Sequence, residues 1–251
     1  MVNHRFSVVI PSLNEEVNLP ILISSLAKQT YRDFEVIVTD CLSTDNTKKY
    51  VETAAKPILY FRFIQKKTKN VSAARNYGAS QAKGDWLIFF DADVEVEADF
   101  LKIVNERINQ YNLNMMTVWN RPKTNSFVGK LVLGLLNMNM TIFQKIKPAA
   151  NGPCMIMQKT LFEKLKGFDD TIVFGEDFDI TQRAYRSGAT FAVFDKPILY
   201  VSSRRFEKEG FFLSLYKSLK AIAHQMFLGP IRKPIFEYEM GGQYYKKPPK
   251  K

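Results

Sequence analysis

The stretch Gly84-Asp85-Trp86-Leu87-Ile88-Phe89-Phe90-Asp91-Ala92-Asp93 decides how this chain is read. Trp86 to Phe90 is an unbroken apolar run, too short for a helix and suited to a strand buried on both faces of a parallel sheet. It stops at Asp91. Upstream, Val71 to Lys83 reads as a helix ended by Gly84, and Ile58 to Ile64 as a strand. Glu35 to Thr39 is a strand closed by Asp40, and Ser43, Thr44 and Asp45 supply capping chemistry for the helix that follows. Phe6 to Ile10 is a first strand and Pro11 to Asn18 a loop. Leu19, Leu22, Ile23 and Leu26 then fall at helical spacing, with Pro20 near the helix start.

Strand, helix, strand, helix, strand, helix, strand implies an α/β fold: a Rossmann-like, mainly parallel central sheet with helices on both faces. Ligands on such sheets sit beyond the carboxyl ends of the strands. Pro11 to Glu15, Asp40 and Asp91 to Asp93 all follow strand ends, so topology brings them to one edge. The second half is less regular. Strands are expected at Met115–Trp119, Cys154–Gln158, Phe191–Phe194 and Ile198–Ser202. Helices are expected at Leu131–Ile146, Leu161–Lys166 and Phe178–Ser187, the last ended by Gly188. Phe211, Phe212, Leu215, Leu219, Ile222, Ala223 and Met226 mark one face of a C-terminal amphipathic helix.

The 251 residues suit one large α/β domain or two small domains, and 46% hydrophobic with 24% charged residues is ordinary for a folded protein. The net charge of +11 is compatible with nucleic acid, an anionic membrane or phosphorylated small molecules. Zinc-finger spacing, a basic heptad helix and an RNP-type strand are all missing, which argues against nucleic acid. Cys41 and Cys154 form neither a disulfide framework nor a CxxC pair, which fits a reducing cytoplasm. His4 and His224 are expected on the surface.

Two acidic groups carry chemistry. Asp91 and Asp93, one residue apart at a strand end, can hold a hard divalent cation, Mg²⁺ or Mn²⁺, which would neutralise a diphosphate. The alternative is a solvated acidic turn. Glu176 and Asp177, with Asp179, open a helix, where a carboxylate either caps the helix or acts as a general base on an acceptor hydroxyl. Arg75 with Asn76, and Arg204 with Arg205, are candidate phosphate contacts.

Taken together these motifs resemble the family 2 glycosyltransferases, with the GT-A nucleotide-sugar-binding fold. VVIPSLNEE, VIVTDCLSTDNT, SAARNYGA, GDWLIFFDAD and GFDDTIVFGEDFDITQRAYRSGA occur in the family's order and spacing. The resemblance implies that Pro11, Asn14 and Glu15 form the first nucleotide-binding loop and that Asp40 contacts the donor base. It implies that Arg75 and Asn76 lie near the donor phosphates, and that Asp91-Ala92-Asp93 is the DxD motif. Asp93 would be the direct metal ligand, with Asp91 on the ribose or on metal-bound water. Asp177 would be the base of an inverting displacement, with Glu176 beside it. Cys41 and Leu42 depart from the pattern, which commonly carries Asp and Gly there; Leu42 loses glycine's conformational freedom. The QxxRW motif of processive synthases is missing, and SSRRFEKEG offers Arg204 or Arg205 to the leaving group instead. The competing readings are a nucleotidyltransferase, against which PSLNEE lacks a Gly-rich loop, and a catalytically silent binding protein.

The expected organisation is a catalytic domain over 1–205, a helical extension over 206–240 and a basic tail over 241–251. No apolar run reaches the roughly 18 to 20 residues needed to span a bilayer. Asn137, Asn139 and Gln144 interrupt the first candidate helix, and Lys217, Lys220, His224 and Gln225 the second. The expected partners are a UDP- or GDP-linked sugar and a saccharide or lipid-linked acceptor. The expected location is the cytoplasm, with peripheral contact at the inner membrane face through the C-terminal helix and tail. Packing of both helices on the core or in a dimer is the alternative.

Overall fold

A computed structural model describes residues 4–68, 70–123, 127–202, 210, 213, 216–217, 220–221, 224–225 and 228–236. Its first half runs β1 (His4–Ser12), α1 (Leu19–Ala27), β2 (Phe34–Asp40), α2 (Thr47–Ala54), β3 (Phe61–Gln65), α3 (Val71–Ser80) and β4 (Gly84–Phe90). The second half adds β5 (Val94–Val96), α4 (Phe100–Tyr111), β6 (Met115–Pro122), α5 (Phe127–Phe143), β7 (Cys154–Gln158), α6 (Lys159–Lys164), α7 (Glu176–Arg186) and β8 (Phe191–Val201).

The strands form one sheet in the order β3-β2-β1-β4-β7-β6-β8-β5. β1 pairs in parallel with β2 and β4, and β2 with β3, as the apolar runs require. β7 enters antiparallel between β4 and β6, and β5 is antiparallel to β8, so the sheet is mixed. Because β7 runs backwards, its first residue, Cys154, pairs with the last of β4, Phe90. The turn before β7 therefore lies at the same edge as the carboxyl ends of β1, β2 and β4. One core lies under α1, α2, α4 and α5, and a second under α3, α6 and α7 on the opposite face.

Several expectations need correction. The helix predicted to reach Lys83 ends at Ser80, and Gly84 begins the strand instead of ending the helix. The two strands predicted at 191–194 and 198–202 are one strand, β8. Its pairing with β6 shifts register between Val118 and Asn120, so an irregularity absorbs Asp195-Lys196-Pro197 without ending the strand. His4 is 4% exposed, not on the surface; its ring lies 4.4 Å from that of Tyr60, and Nδ1 is 3.5 Å from Asp33.

At the opposite edge from the candidate site, β1, β2 and β4 are pinned by Glu35. Its carboxylate accepts from Ser7 Oγ at 2.7 Å, from the Lys83 amide at 2.5 Å and from Arg62 at 2.7 Å. Burial alone would raise its pKa, but these hydrogen bonds and the Arg62 charge outweigh burial and lower it. Gly84 donates to the same Ser7 Oγ at 2.8 Å. A Cβ at Gly84 would stand 2.6 Å from the Phe6 carbonyl carbon and the Ser7 nitrogen, both backbone atoms that cannot rotate away. Gly84→Ala should therefore destabilise the fold by about 2–3 kcal/mol through forced strand separation. Urea unfolding would measure this, and an unchanged midpoint would refute the close approach.

Candidate active site

The first loop and the second are stitched together by side chains. Asp40, at the end of β2, accepts from Ser12 Oγ at 2.9 Å and from the Ser43 amide at 2.9 Å. Asn14 Oδ1 accepts from the Thr44 amide at 2.8 Å, and the Asn14 amide donates to Ser43 Oγ at 2.8 Å. Ser43 and Thr44 thus close the Asp40 and Asn14 loops rather than capping α2. Asp45 does reach that helix, accepting from the Thr47 amide at 3.0 Å. Asn14 and Leu42 both take left-handed φ values, 55° and 61°. Leu42 holds a conformation that glycine would adopt freely, which gives the departure at this position a physical meaning. Glu15 is buried and accepts from Asn18 at 3.2 Å.

The centre of the site is Arg75. It lies on α3, is 1% exposed, and its guanidinium sits 5.5 Å from the Phe168 ring centroid. One terminal nitrogen donates to Asp91 at 2.6 Å and the other to Glu176 at 2.7 Å. The Gly152 carbonyl accepts a further bond at 3.2 Å. Burial would lower the Arg75 pKa, but the charges of Asp91, Glu176 and Asp177 outweigh it and raise it. Its fork is taken up by two carboxylates, and its work is to join the end of β4 to the start of α7. Asn76 is also occupied: its side-chain amide donates to the Phe168 carbonyl and accepts from the Phe168 amide, each at 2.9 Å. Both residues, expected near the donor phosphates, hold the loop before α7.

Asp177 opens α7, whose N-cap, Gly175, has φ +80°. The Gln225 side chain crowds the position where a Cβ at Gly175 would sit, so conformation and space both call for glycine there. The Asp177 carboxylate accepts from its neighbour's amide, Phe178, at 2.8 Å. Its pKa is pushed up to about 7, by burial first and then by the charge of Glu176, with Asp91 adding to the effect. A carboxyl poised near neutrality is suited to exchanging a proton.

Asp91 is half-buried, and its amide donates to the Pro153 carbonyl at 3.3 Å. Ala92 is buried, and Asp93 is half-buried beside it. Among the described residues, no group of three or more His, Cys, Asp or Glu is arranged to cage a metal ion. Two hard carboxylates at a strand end do fit a cation that brings phosphate and water ligands of its own, the usual manner for Mg²⁺. Burial and the Asp91 charge push the Cys154 thiol far up, and burial and Asp40 raise Cys41 to about 11, so neither is a thiolate nucleophile.

Sequence reasoning missed the turn Asn151-Gly152-Pro153. It touches Arg75 and Asp91 through carbonyls, and a Cβ on Gly152 would stand 3.3 Å from Asp177 Oδ2. The Asn-Gly-Pro punctuation was the available signal. Arg204 and Arg205 lie outside the described residues, as do much of the predicted C-terminal helix and the tail. The described part of that region is tied to the site's flank. Val173 donates to the Ile231 carbonyl at 2.9 Å, and Arg232 pairs with Asp169 at 2.8 Å.

The strand ends gather an acidic DxD turn, a buried arginine and a second carboxylate pair on an α/β sheet of the GT-A type. The chain belongs to Glycosyl transferase family 2, whose profile matches residues 7–165. It is 24% identical over 205 residues to the poly(ribitol-phosphate) β-N-acetylglucosaminyltransferase TarS of Staphylococcus aureus, covering 80% of this chain and 36% of TarS. The structure of TarS residues 1–349 with UDP-GlcNAc superposes with a TM-score of 0.67 at 23% identity, over 84% of this chain and 60% of that one. The mannosyltransferase PcManGT of Pyrobaculum calidifontis, in complex with GDP-Man and Mn²⁺, gives a TM-score of 0.68 at 18% identity, over 87% and 65%. A Campylobacter jejuni GalNAc(5)-diNAcBac-PP-undecaprenol β-1,3-glucosyltransferase is 32% identical over 109 residues, 42% of this chain and 35% of its own length. The chain thus spans about a third of the length of these curated relatives.

Proposed function

We propose that this chain transfers a sugar from a nucleotide diphosphate to an acceptor hydroxyl by an inverting displacement. The observation that carries the reading is the Arg75 fork, which links Asp91 of the DxD turn to Glu176, the neighbour of Asp177. Asp177 takes the proton of the acceptor hydroxyl as that oxygen attacks the anomeric carbon and the bond to the diphosphate oxygen breaks. Asp91 and Asp93 would hold a divalent cation, with Asp93 the direct ligand. Such a cation, when bound, offsets charge on the departing diphosphate. Glu176, fixed by Arg75, keeps the Asp177 proton affinity high. Pro11, Asn14, Glu15 and Asp40 would line the nucleoside side, and Arg204 or Arg205 the leaving group.

UDP-GlcNAc and GDP-Man in the related structures support a UDP- or GDP-linked donor, and Mn²⁺ in one of them supports the cation. The polyprenol-linked glycan named for the Campylobacter relative supports a lipid-linked or saccharide acceptor. Among the described residues no helix is long and apolar enough to cross a membrane.

Thermal unfolding with UDP and with GDP, each with and without Mn²⁺, tests the donor site. One nucleotide at about a hundredfold excess over its Kd should stabilise by about 2.7 kcal/mol in the presence of metal. Asp93→Ala should abolish that gain. Stabilisation by neither nucleotide, or stabilisation indifferent to Asp93, would overturn the reading.

A further inference from the structure

Helix α5 is built inside out. The residues it turns to the sheet include polar ones, Asn137 and Thr141. Asn137 is buried and clamps the Asn120 backbone, accepting from its amide at 3.0 Å and donating to its carbonyl at 2.8 Å. Thr141 Oγ accepts from Trp119 Nε1 at 3.0 Å. Gln144, just past the helix, accepts from the Val193 amide at 2.9 Å. Leu133 and Met140 complete the inner face. Asn137 and Gln144, two of the polar residues that interrupt this apolar sequence, are therefore inward anchors, whereas Asn139 is exposed.

The outward face is apolar. Leu131, Leu135, Met138 and Ile142 are 53%, 54%, 51% and 60% exposed. Their spacing, i, i+4, i+7, i+11, makes one stripe along the helix, opposite the Leu133–Asn137–Met140 side. Leu136 and Phe143 are also exposed but lie roughly a quarter-turn round the helix from it, and Ile146 follows the helix end. Isolated exposed leucines need no explanation, but a continuous stripe does.

Charge selects the occupant. Residues 107–162 contain seven Lys or Arg and no Asp or Glu. Lys130 lies within α5, and Lys145 and Lys147 follow its end; all three are exposed. An apolar stripe rimmed by cations, on a chain of net charge +11, complements an anionic lipid surface. A second copy of this chain would set like charges against each other.

We propose that the outer face of α5 seats the protein on an anionic phospholipid monolayer, with Leu131, Leu135, Met138 and Ile142 among the acyl chains and Lys130 and Lys145 at the headgroups. The segment after α5 leads straight into the site: Gln182 of α7 donates to the Pro148 carbonyl, and Gly152 bonds Arg75. A docked α5 therefore holds the carboxylate cluster close to the headgroup plane, where a lipid-borne acceptor would be presented. This assigns a membrane contact to α5; the C-terminal helix and tail, where the sequence led us to expect one, lie mostly outside the described residues. It does not depend on the donor reading.

The test is co-sedimentation of the full chain with phosphatidylcholine vesicles, with and without phosphatidylglycerol. The wild-type protein should pellet with the anionic vesicles only. Leu135→Gln with Ile142→Gln should weaken partitioning roughly tenfold or more. Lys130→Gln with Lys145→Gln should weaken it about thirtyfold. Leu135→Trp, which keeps the stripe apolar, should show blue-shifted emission on adding anionic vesicles. Wild-type protein left in the supernatant overturns the proposal. So does partitioning that responds to the lysines but not to the leucine and isoleucine. A dimer in light scattering that Leu135→Gln with Ile142→Gln dissolves, without vesicle binding, assigns the stripe to a second copy instead. Nucleotide-dependent stabilisation, measured on the same variants, reports on the donor site separately.

Discussion

Asp177→Asn should abolish turnover while leaving the donor bound. Removing a positioned general base costs about 10²- to 10⁴-fold in rate. The asparagine keeps the size of the side chain and an oxygen for the Phe178 amide, so the loss would be one of proton acceptance. The expected pattern is a fall in kcat with nucleotide-dependent stabilisation unchanged. With Asp177 as the proposed base, the active form is the carboxylate, so kcat/KM of the wild-type protein should fall as pH drops below about 7. A bound cation nearby favours the charged form and should move this limb to lower pH. The same geometry has a stability signature of opposite sense. A carboxyl whose folded pKa lies above its unfolded value binds more protons in the folded state between the two. Its contribution is present below the unfolded pKa and is lost as pH rises toward 7. Asp177→Asn should therefore raise Tm at pH 8 more than at pH 4. Turnover that survives the substitution would remove Asp177 from the reaction.

Arg75→Met should be the most damaging single substitution to the fold of the site. Arg75 is the largest fully buried side chain, and it faces Asp91 and Glu176 with Asp177 close by. Deleting one partner of a buried ion pair costs about 3–5 kcal/mol because the remaining charges are left uncompensated. Asp91 keeps 35% of its side-chain surface in water, so the lower end, about 3 kcal/mol, is expected. For a chain of this size that is a fall in Tm of roughly 10 °C. Arg75→Lys should not rescue it, since a single ammonium cannot span two carboxylates as a planar fork does. Adding Glu176→Gln to Arg75→Met should restore part of the loss, and the non-additivity measures the pairing. A full-length thermal unfolding series decides this. A stable Arg75→Met protein would mean that the carboxylates neutralise by taking up protons instead.

Both experiments probe groups whose residue types the sequence made conspicuous and whose relations it did not. The apolar runs 6–10, 35–39 and 86–90 announced buried parallel strands because a strand covered on both faces has no polar side to display. The residues following those runs, Asn14, Asp40 and Asp91, then had to share an edge, because parallel strands with right-handed crossovers bring their carboxyl ends together. The pairing of a left-handed backbone with Leu42 was foreshadowed by the missing glycine.

What the tertiary structure alone decided lies in contacts between residues far apart in the chain. A five-residue run such as 154–158 looks the same whether its strand runs parallel or antiparallel, so the reversal that brings Gly152 to Asp177 was not legible. Arg75 is separated from Glu176 by a hundred positions, and a buried fork is indistinguishable in sequence from a surface arginine awaiting phosphate. His4 reads as polar until a neighbouring ring covers it. Asn137 of α5 reads as an interruption of an apolar helix until the strand beneath it supplies the Asn120 backbone to bond. The sequence determined local periodicity and the edge where chemistry gathers. Which charge meets which, and which face of a helix meets water, depended on elements brought together only in the folded chain, where burial sets the strength of every polar contact.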